Sequence, residues 1–195
     1  MLPYKFYCVA IPERKKRAEE RLSRIQVPFE MIEAVRWNSP LVRWYFENQK
    51  PTKFERESSL KEVACYLSHL KAYRRFHEEF DHVKTAVICE DDVVFLKNRE
   101  ALHRRLAEAV DELSTNRRRR IFLGYVNFHL QKELSHEFVN VHYQRIYGTQ
   151  MYIISKEQCR ETLKKYDRPL RYLIGDSFTS ESFLHFDNGF FFFRN

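Results

Sequence analysis

At 195 residues, with 44% hydrophobic and 31% charged side chains, the chain has the size and composition of one folded domain, residues 1–195, which excludes bulk disorder and a two-domain layout. Four glycines and six prolines exclude collagen-like and linker-rich sequences. Thirty-four Lys and Arg against 27 Asp and Glu leave a net charge of +7, which suits anionic partners: nucleic acid, an anionic membrane surface or phosphorylated small molecules.

Tyr4 to Ile11 reads as a strand apolar on both faces, as a buried parallel strand is. Pro12 suits the first turn of a helix whose apolar stripe is Ala18, Leu22 and Ile25, and Val27 to Val35 follows as a second strand. Residues 36–57, aromatic and holding Pro40 and Pro51, read as a long ordered loop. Ser59 to Glu62 forms a capping box that opens a helix with Leu60, Val63, Leu67, Leu70 and Tyr73 on one side. Thr85 to Cys89 is the clearest strand. A helix over Arg99–Leu113, strands over Arg120–Tyr125 and Thr149–Ile154, and a second capped helix from Ser155 carrying Cys159, Leu163 and Tyr166 complete the chain. The alternation predicts an α/β fold with a mostly parallel central sheet flanked by helices.

No apolar run approaches the roughly 20 residues of a spanning helix, and the N-terminal stretch lacks a basic n-region and a small-residue cleavage site. Cys8, Cys65, Cys89 and Cys159 stand singly among apolar neighbours and read as reduced core residues. A cytoplasmic protein is expected.

Glu90-Asp91-Asp92 carries the most chemical information. On an extended backbone, Glu90 and Asp92 point one way and Asp91 the other. Close carboxylates repel unless positive charge lies between them, and these follow directly on a buried strand, where open α/β sheets place ligands. A hard cation, Mn²⁺ or Mg²⁺, completed by a diphosphate satisfies both conditions. The bland alternative is a solvated acidic junction between strand and loop.

Glu62-Val-Ala-Cys-Tyr-Leu-Ser-His69, followed by Ala86-Val-Ile-Cys-Glu-Asp-Asp-Val-Val-Phe95, resembles the E-I-G-C-x-L-S-H and E-D-D motifs of glycosyltransferase family 25, which contains lipopolysaccharide and collagen galactosyltransferases. Ile11-Pro-Glu-Arg-Lys-Lys-Arg17 is similar to the family's N-L-x-R-x-x-R opening, and Gly148-Thr-Gln-Met-Tyr-Ile-Ile-Ser155 to its G-T-x-G-Y-x-x-S segment. These stretches lie within roughly residues 5–176. The departures are the missing Asn before Arg14, Ala64 for a Gly, and Met151 for another Gly.

The resemblance implies a GT-A, Rossmann-like fold in which Glu90 and Asp92 hold Mn²⁺ (or Mg²⁺) against a UDP-sugar. Arg14, Arg17, Ser68, His69 and Asp91 then form the donor-binding set, although Arg14 and Arg17 also belong to a stripe at helical spacing that reads as a solvated face. The implied reaction moves a hexose, with galactose expected, onto a glycan or hydroxylated acceptor with inversion, which calls for a carboxylate base. Asp176, in Leu173-Ile-Gly-Asp-Ser177, is the first candidate, with Glu181 and Asp187 behind it; Gly-Asp-Ser also reads as a plain turn.

Arg117 to Arg120 fits peripheral docking on an anionic membrane, and Phe190 to Phe193 a strand buried on both faces or a homo-oligomer contact. No nucleic-acid motif accompanies the basic residues, so nucleic acid is not an expected partner. The competing reading is a relative that holds a nucleotide or a protein partner without sugar transfer.

Overall fold

The computed structural model describes residues 3–48, 60–79, 82–95, 99–115, 120–126 and 147–166. At its centre is β1 (Tyr4–Ala10). Its alternation sends Tyr4, Phe6, Cys8 and Ala10 into one apolar core and Tyr7 and Val9 into another. Both faces are therefore covered, as its largely apolar sequence predicts, with Lys5 the one exposed residue of the strand.

Helix α1 (Pro12–Arg24) starts with its proline in the first turn after an extended Ile11 and buries Ala18 and Leu22. It ends before Gln26, whose φ of 52° lies in the left-handed region. Strand β2 (Glu30–Glu33) is shorter than the expected Val27–Val35. Pro28 brings no N–H to a ladder. After a last bond from Ala34 N–H to the Ala10 carbonyl (2.8 Å), the Val35 N–H donates to Ser68 Oγ (2.8 Å) instead.

Within the expected loop 36–57 lies a helix, α2 (Pro40–Asn48). Ser39 caps it by accepting from the Val42 N–H (3.3 Å), Pro40 occupies the first turn, and Val42, Tyr45 and Phe46 pack inward at helical spacing. The prolines and aromatics that read as loop signals are thus, at this end, a helix start and its apolar stripe.

Helix α3 (Leu60–Glu78) is buried on most sides, including the small-residue ridge Ala64, Ser68 and Ala72. Ser59, the proposed opening cap, lies outside the described residues. Strand β3 (Thr85–Glu90) pairs parallel with β1. Helix α4 (Arg99–Thr115) buries Leu106, Ala109, Val110 and Leu113. Strands β4 (Arg120–Val126) and β5 (Tyr147–Ser155) precede α5 (Lys156–Tyr166), where Ser155 Oγ accepts from the Gln158 N–H (3.1 Å), one half of the expected capping box, while the Gln158 amide turns to Thr162 Oγ1 (3.2 Å).

The sheet order is β2-β1-β3-β5-β4. β1, β2 and β3 are mutually parallel, and β5 runs antiparallel to both β3 and β4, so β5 alone is reversed. This is the Rossmann-like, mostly parallel α/β arrangement expected. One core packs the sheet against α3, with α2 and α5 contributing Val42 and Cys159; the other packs it against α1 and α4. Cys8, Cys89 and Cys159 are buried thiols, and none of the four cysteines is in a disulfide. Among the described residues no helix is long and apolar enough to cross a membrane. The Arg117–Arg119 run and Phe190–Phe193 lie outside them.

Candidate active site

A cleft of about 380 Å³ opens at the C-terminal ends of β1 and β3, walled by α1, α3 and the segment after β2. That volume falls within the range of small-ligand sites, about 300–1,000 Å³. Of the residues singled out from sequence, Arg14, Ser68, His69, Glu90, Asp91 and Asp92 all line it. Arg17, one turn beyond Arg14, is exposed and lies outside the lining. Asp176, Glu181 and Asp187 lie outside the described residues.

The acidic triplet departs from its expected geometry. Strand β3 stops at Glu90, and a turn closed by the Val93 N–H on the Glu90 carbonyl (3.2 Å) carries Asp91 and Asp92. Strand alternation therefore does not govern where Asp91 and Asp92 point. Asp91 is buried and turned toward α1, where its Oδ2 accepts from the Ile11 N–H (3.0 Å) and its Oδ1 from Arg14 Nη1 (3.2 Å). It thereby supplies negative charge at the N-terminus of α1, which has no side-chain cap of its own. Arg14 is steadied at the cleft by the same contact. Arg21 Nη1 donates to the Val93 carbonyl (2.8 Å), tying the other side of the turn to α1.

Asp92 is exposed, yet desolvation and then the charges of Glu90 and Asp91 push its carboxyl above the usual range. The part of that rise due to neighbouring negative charge is what a hard cation taking oxygens from Asp92 and Glu90 would offset. Carboxylate oxygens are donors of the kind that hard divalent cations take.

Glu90 itself reaches toward α3. Its Oε1 lies 3.3 Å from His69 Nε2 and 3.9 Å from Cys65 Sγ. His69 Nδ1 meets the Tyr152 hydroxyl (2.8 Å), which donates onward to Tyr73 (3.1 Å). Burial opposes a charge on His69, but the hydrogen bonds and negative charge of Cys65 and Glu90 outweigh it and raise its pKa to about 9. Ser68 Oγ accepts from the Val35 N–H and donates to the Ala64 carbonyl (2.6 Å), so it fixes the wall of the cleft.

Sequence reasoning missed Cys65, Arg36, Trp37 and Lys61, all of which line the cleft. Cys65, read as a core residue, is only half-buried. Its signal was present: it precedes His69 by four residues, which on a helix sets both on one face. Arg36 bridges to Glu13 (2.7 Å) across the opening, and Trp37 is 51% exposed.

No curated protein matches the sequence. Among solved structures, the chain is similar to 4-diphosphocytidyl-2C-methyl-D-erythritol synthase from Anaerococcus prevotii, at 9% identity and a TM-score of 0.45, with 99% of this chain and 90% of that one covered. Residues 10–177, most of the chain and all of the cleft lining except Val9, match the sequence model of glycosyltransferase family 25, described as an LPS biosynthesis protein, and the chain belongs to that family.

Proposed function

We propose that the protein transfers a hexose, galactose first among the candidates, from a UDP-sugar to a glycan or hydroxylated acceptor with inversion, using a divalent cation held by Glu90 and Asp92. The observation that carries this reading is the position of the two carboxylates at the C-terminal end of β3, lining a cleft of about 380 Å³, with the Asp92 carboxyl raised first by desolvation and then by the charges of Glu90 and Asp91. When bound, the cation, Mn²⁺ or Mg²⁺, neutralises the diphosphate of the departing UDP.

The protein's own groups prepare that site. Arg14, held by Asp91, presents a guanidinium that is 57% exposed, suited to phosphate oxygens, and Arg36 and Lys61 add positive charge around the opening. Ser68 and His69 shape the donor wall from α3, while Arg17 supplies charge outside it. The exposed Trp37 offers a flat apolar face to a sugar ring or base at the rim. Asp176 is proposed as the base that takes the acceptor's hydroxyl proton.

Thermal melting with UDP, UDP-galactose, UDP-glucose and GDP-mannose, each with and without Mn²⁺, tests the donor. A UDP-sugar at 100 times its Kd stabilises the native state by about 2.7 kcal/mol. The expected result is a rise in Tm for a UDP-sugar that needs Mn²⁺ and is absent with GDP-mannose. A flat series under every condition refutes donor binding, while a shift without transfer in an acceptor screen favours a binding protein.

A further inference from the structure

Cys65, His69 and Glu90 bring a sulfur, a ring nitrogen and a carboxylate oxygen within 4.8 Å of one another. We propose that these three residues form a second cation site, selective for a borderline-soft ion such as Zn²⁺, and that it competes with the hard-metal pair because both use Glu90. Cys65 and His69 are one turn apart on α3, and Glu90 closes the set from the end of β3.

The spacing suits the ion. Zinc bonds of about 2.0–2.2 Å to nitrogen and oxygen and about 2.3 Å to sulfur, at tetrahedral angles, put N and O about 3.3 Å apart and S and O about 3.6 Å apart. The observed separations are 3.3 Å for His69 Nε2 to Glu90 Oε1 and 3.9 Å for Cys65 Sγ to Glu90 Oε1. Two of the three pairs already stand close to ligating separation, and the set as a whole lies within 4.8 Å, so closing it takes side-chain adjustment alone.

The surroundings also suit it. Tyr152 donates its hydroxyl hydrogen to Tyr73, and its oxygen stands 2.8 Å from His69 Nδ1, placed to accept from Nδ1–H. That leaves Nε2 to ligate once the ion displaces its proton and that of the Cys65 thiol, the arrangement by which metal-binding histidines are oriented through their other nitrogen. All three ligands border the cleft, which gives an ion a path to them. A thiolate and an imidazole favour Zn²⁺ over Mn²⁺ or Mg²⁺, which take oxygen donors. Zn²⁺ at this site draws Glu90 toward α3 and away from Asp92. The proposed transfer enters only through this last consequence; cation binding stands apart from it.

The test uses Co²⁺ as a spectroscopic stand-in for Zn²⁺, added to the full-length protein stripped with chelator, without nucleotide. The expected result is a sulfur-to-cobalt charge-transfer band in the near ultraviolet that Zn²⁺ abolishes. Cys65→Ser, at a half-buried position, removes the band and weakens Zn²⁺ binding at least about 100-fold. His69→Gln does the same where it folds. Absence of the band in folded wild-type protein, or its persistence in Cys65→Ser, overturns the site. If transfer is detected, Zn²⁺ suppresses it at fixed Mn²⁺; undiminished transfer under saturating Zn²⁺ overturns the sharing of Glu90. Failure to detect transfer leaves the cobalt result standing, so the two readings fail separately.

Discussion

Replacing Glu90 with Gln is expected to lower kcat/KM for sugar transfer at least about 1,000-fold while the protein stays folded. A bound cation acting on a leaving diphosphate supplies several kcal/mol of charge stabilisation, and about 4 kcal/mol corresponds to 1,000-fold in rate. The amide keeps the shape and one acceptor oxygen opposite His69 but loses the charge that holds the ion. Stability should fall modestly, because the lost charge relieves the crowding at Asp92 but removes a carboxylate that favours the charged form of the buried His69. Donor saturation curves over a Mn²⁺ titration, with melting of both proteins in parallel, provide the check. Activity within tenfold of wild type would rule out Glu90 as a metal ligand in the reaction.

Phe76→Ala should do the reverse. Phe76 is fully buried, packs its ring against Tyr7 at a centroid distance of 6.3 Å, and has the Lys156 ammonium 5.6 Å from its ring centre. Truncating such a ring costs about 3–5 kcal/mol. For a chain of this size that lowers Tm by about 6–20 °C, at 2–4 °C per kcal/mol. Phe76 lies two turns along α3 from His69, about 10 Å away, and outside the cleft lining. Turnover per folded molecule, measured well below the lowered Tm, should therefore match wild type. A Tm drop under 3 °C would show that the core relaxes around the gap.

The contrast between these two positions explains what was readable in advance. Core strands such as Tyr4–Ala10 and Thr85–Glu90 announce themselves because both faces are buried, so their residues are apolar save Lys5, Thr85 and the terminal Glu90. The acids at position 90 onward stand out by ending such a run at once. Direction is another matter: Met151 to Ile154 is apolar whichever way the strand runs, so the reversal of β5 left no mark. Helix α2 was obscured by its own composition, since Ser39-Pro40 reads equally as a turn or a helix start and only the burial of Val42 decides.

The cleft's remaining members were hidden by distance along the chain. Asp91 serves α1 from 80 residues away, a role no local pattern encodes. Arg36 and Trp37 reach the opening only because Ser68 pins the backbone at Val35 to α3. Cys65 was masked by the usual fate of cysteine, which is burial; the carboxylate that gives it chemistry arrives 25 residues later.

The central ladder sets Cys8 directly opposite Cys89, both fully buried, and burial holds the Cys89 thiol well above its usual range. Cys65 meets solvent at the cleft. The molecule therefore carries thiols on two clocks. One keeps the time of ligand traffic at the cleft. The other, locked between β1 and β3, advances only when the middle of the sheet comes apart, so its modification counts whole-molecule openings and ignores the fluctuations of loops.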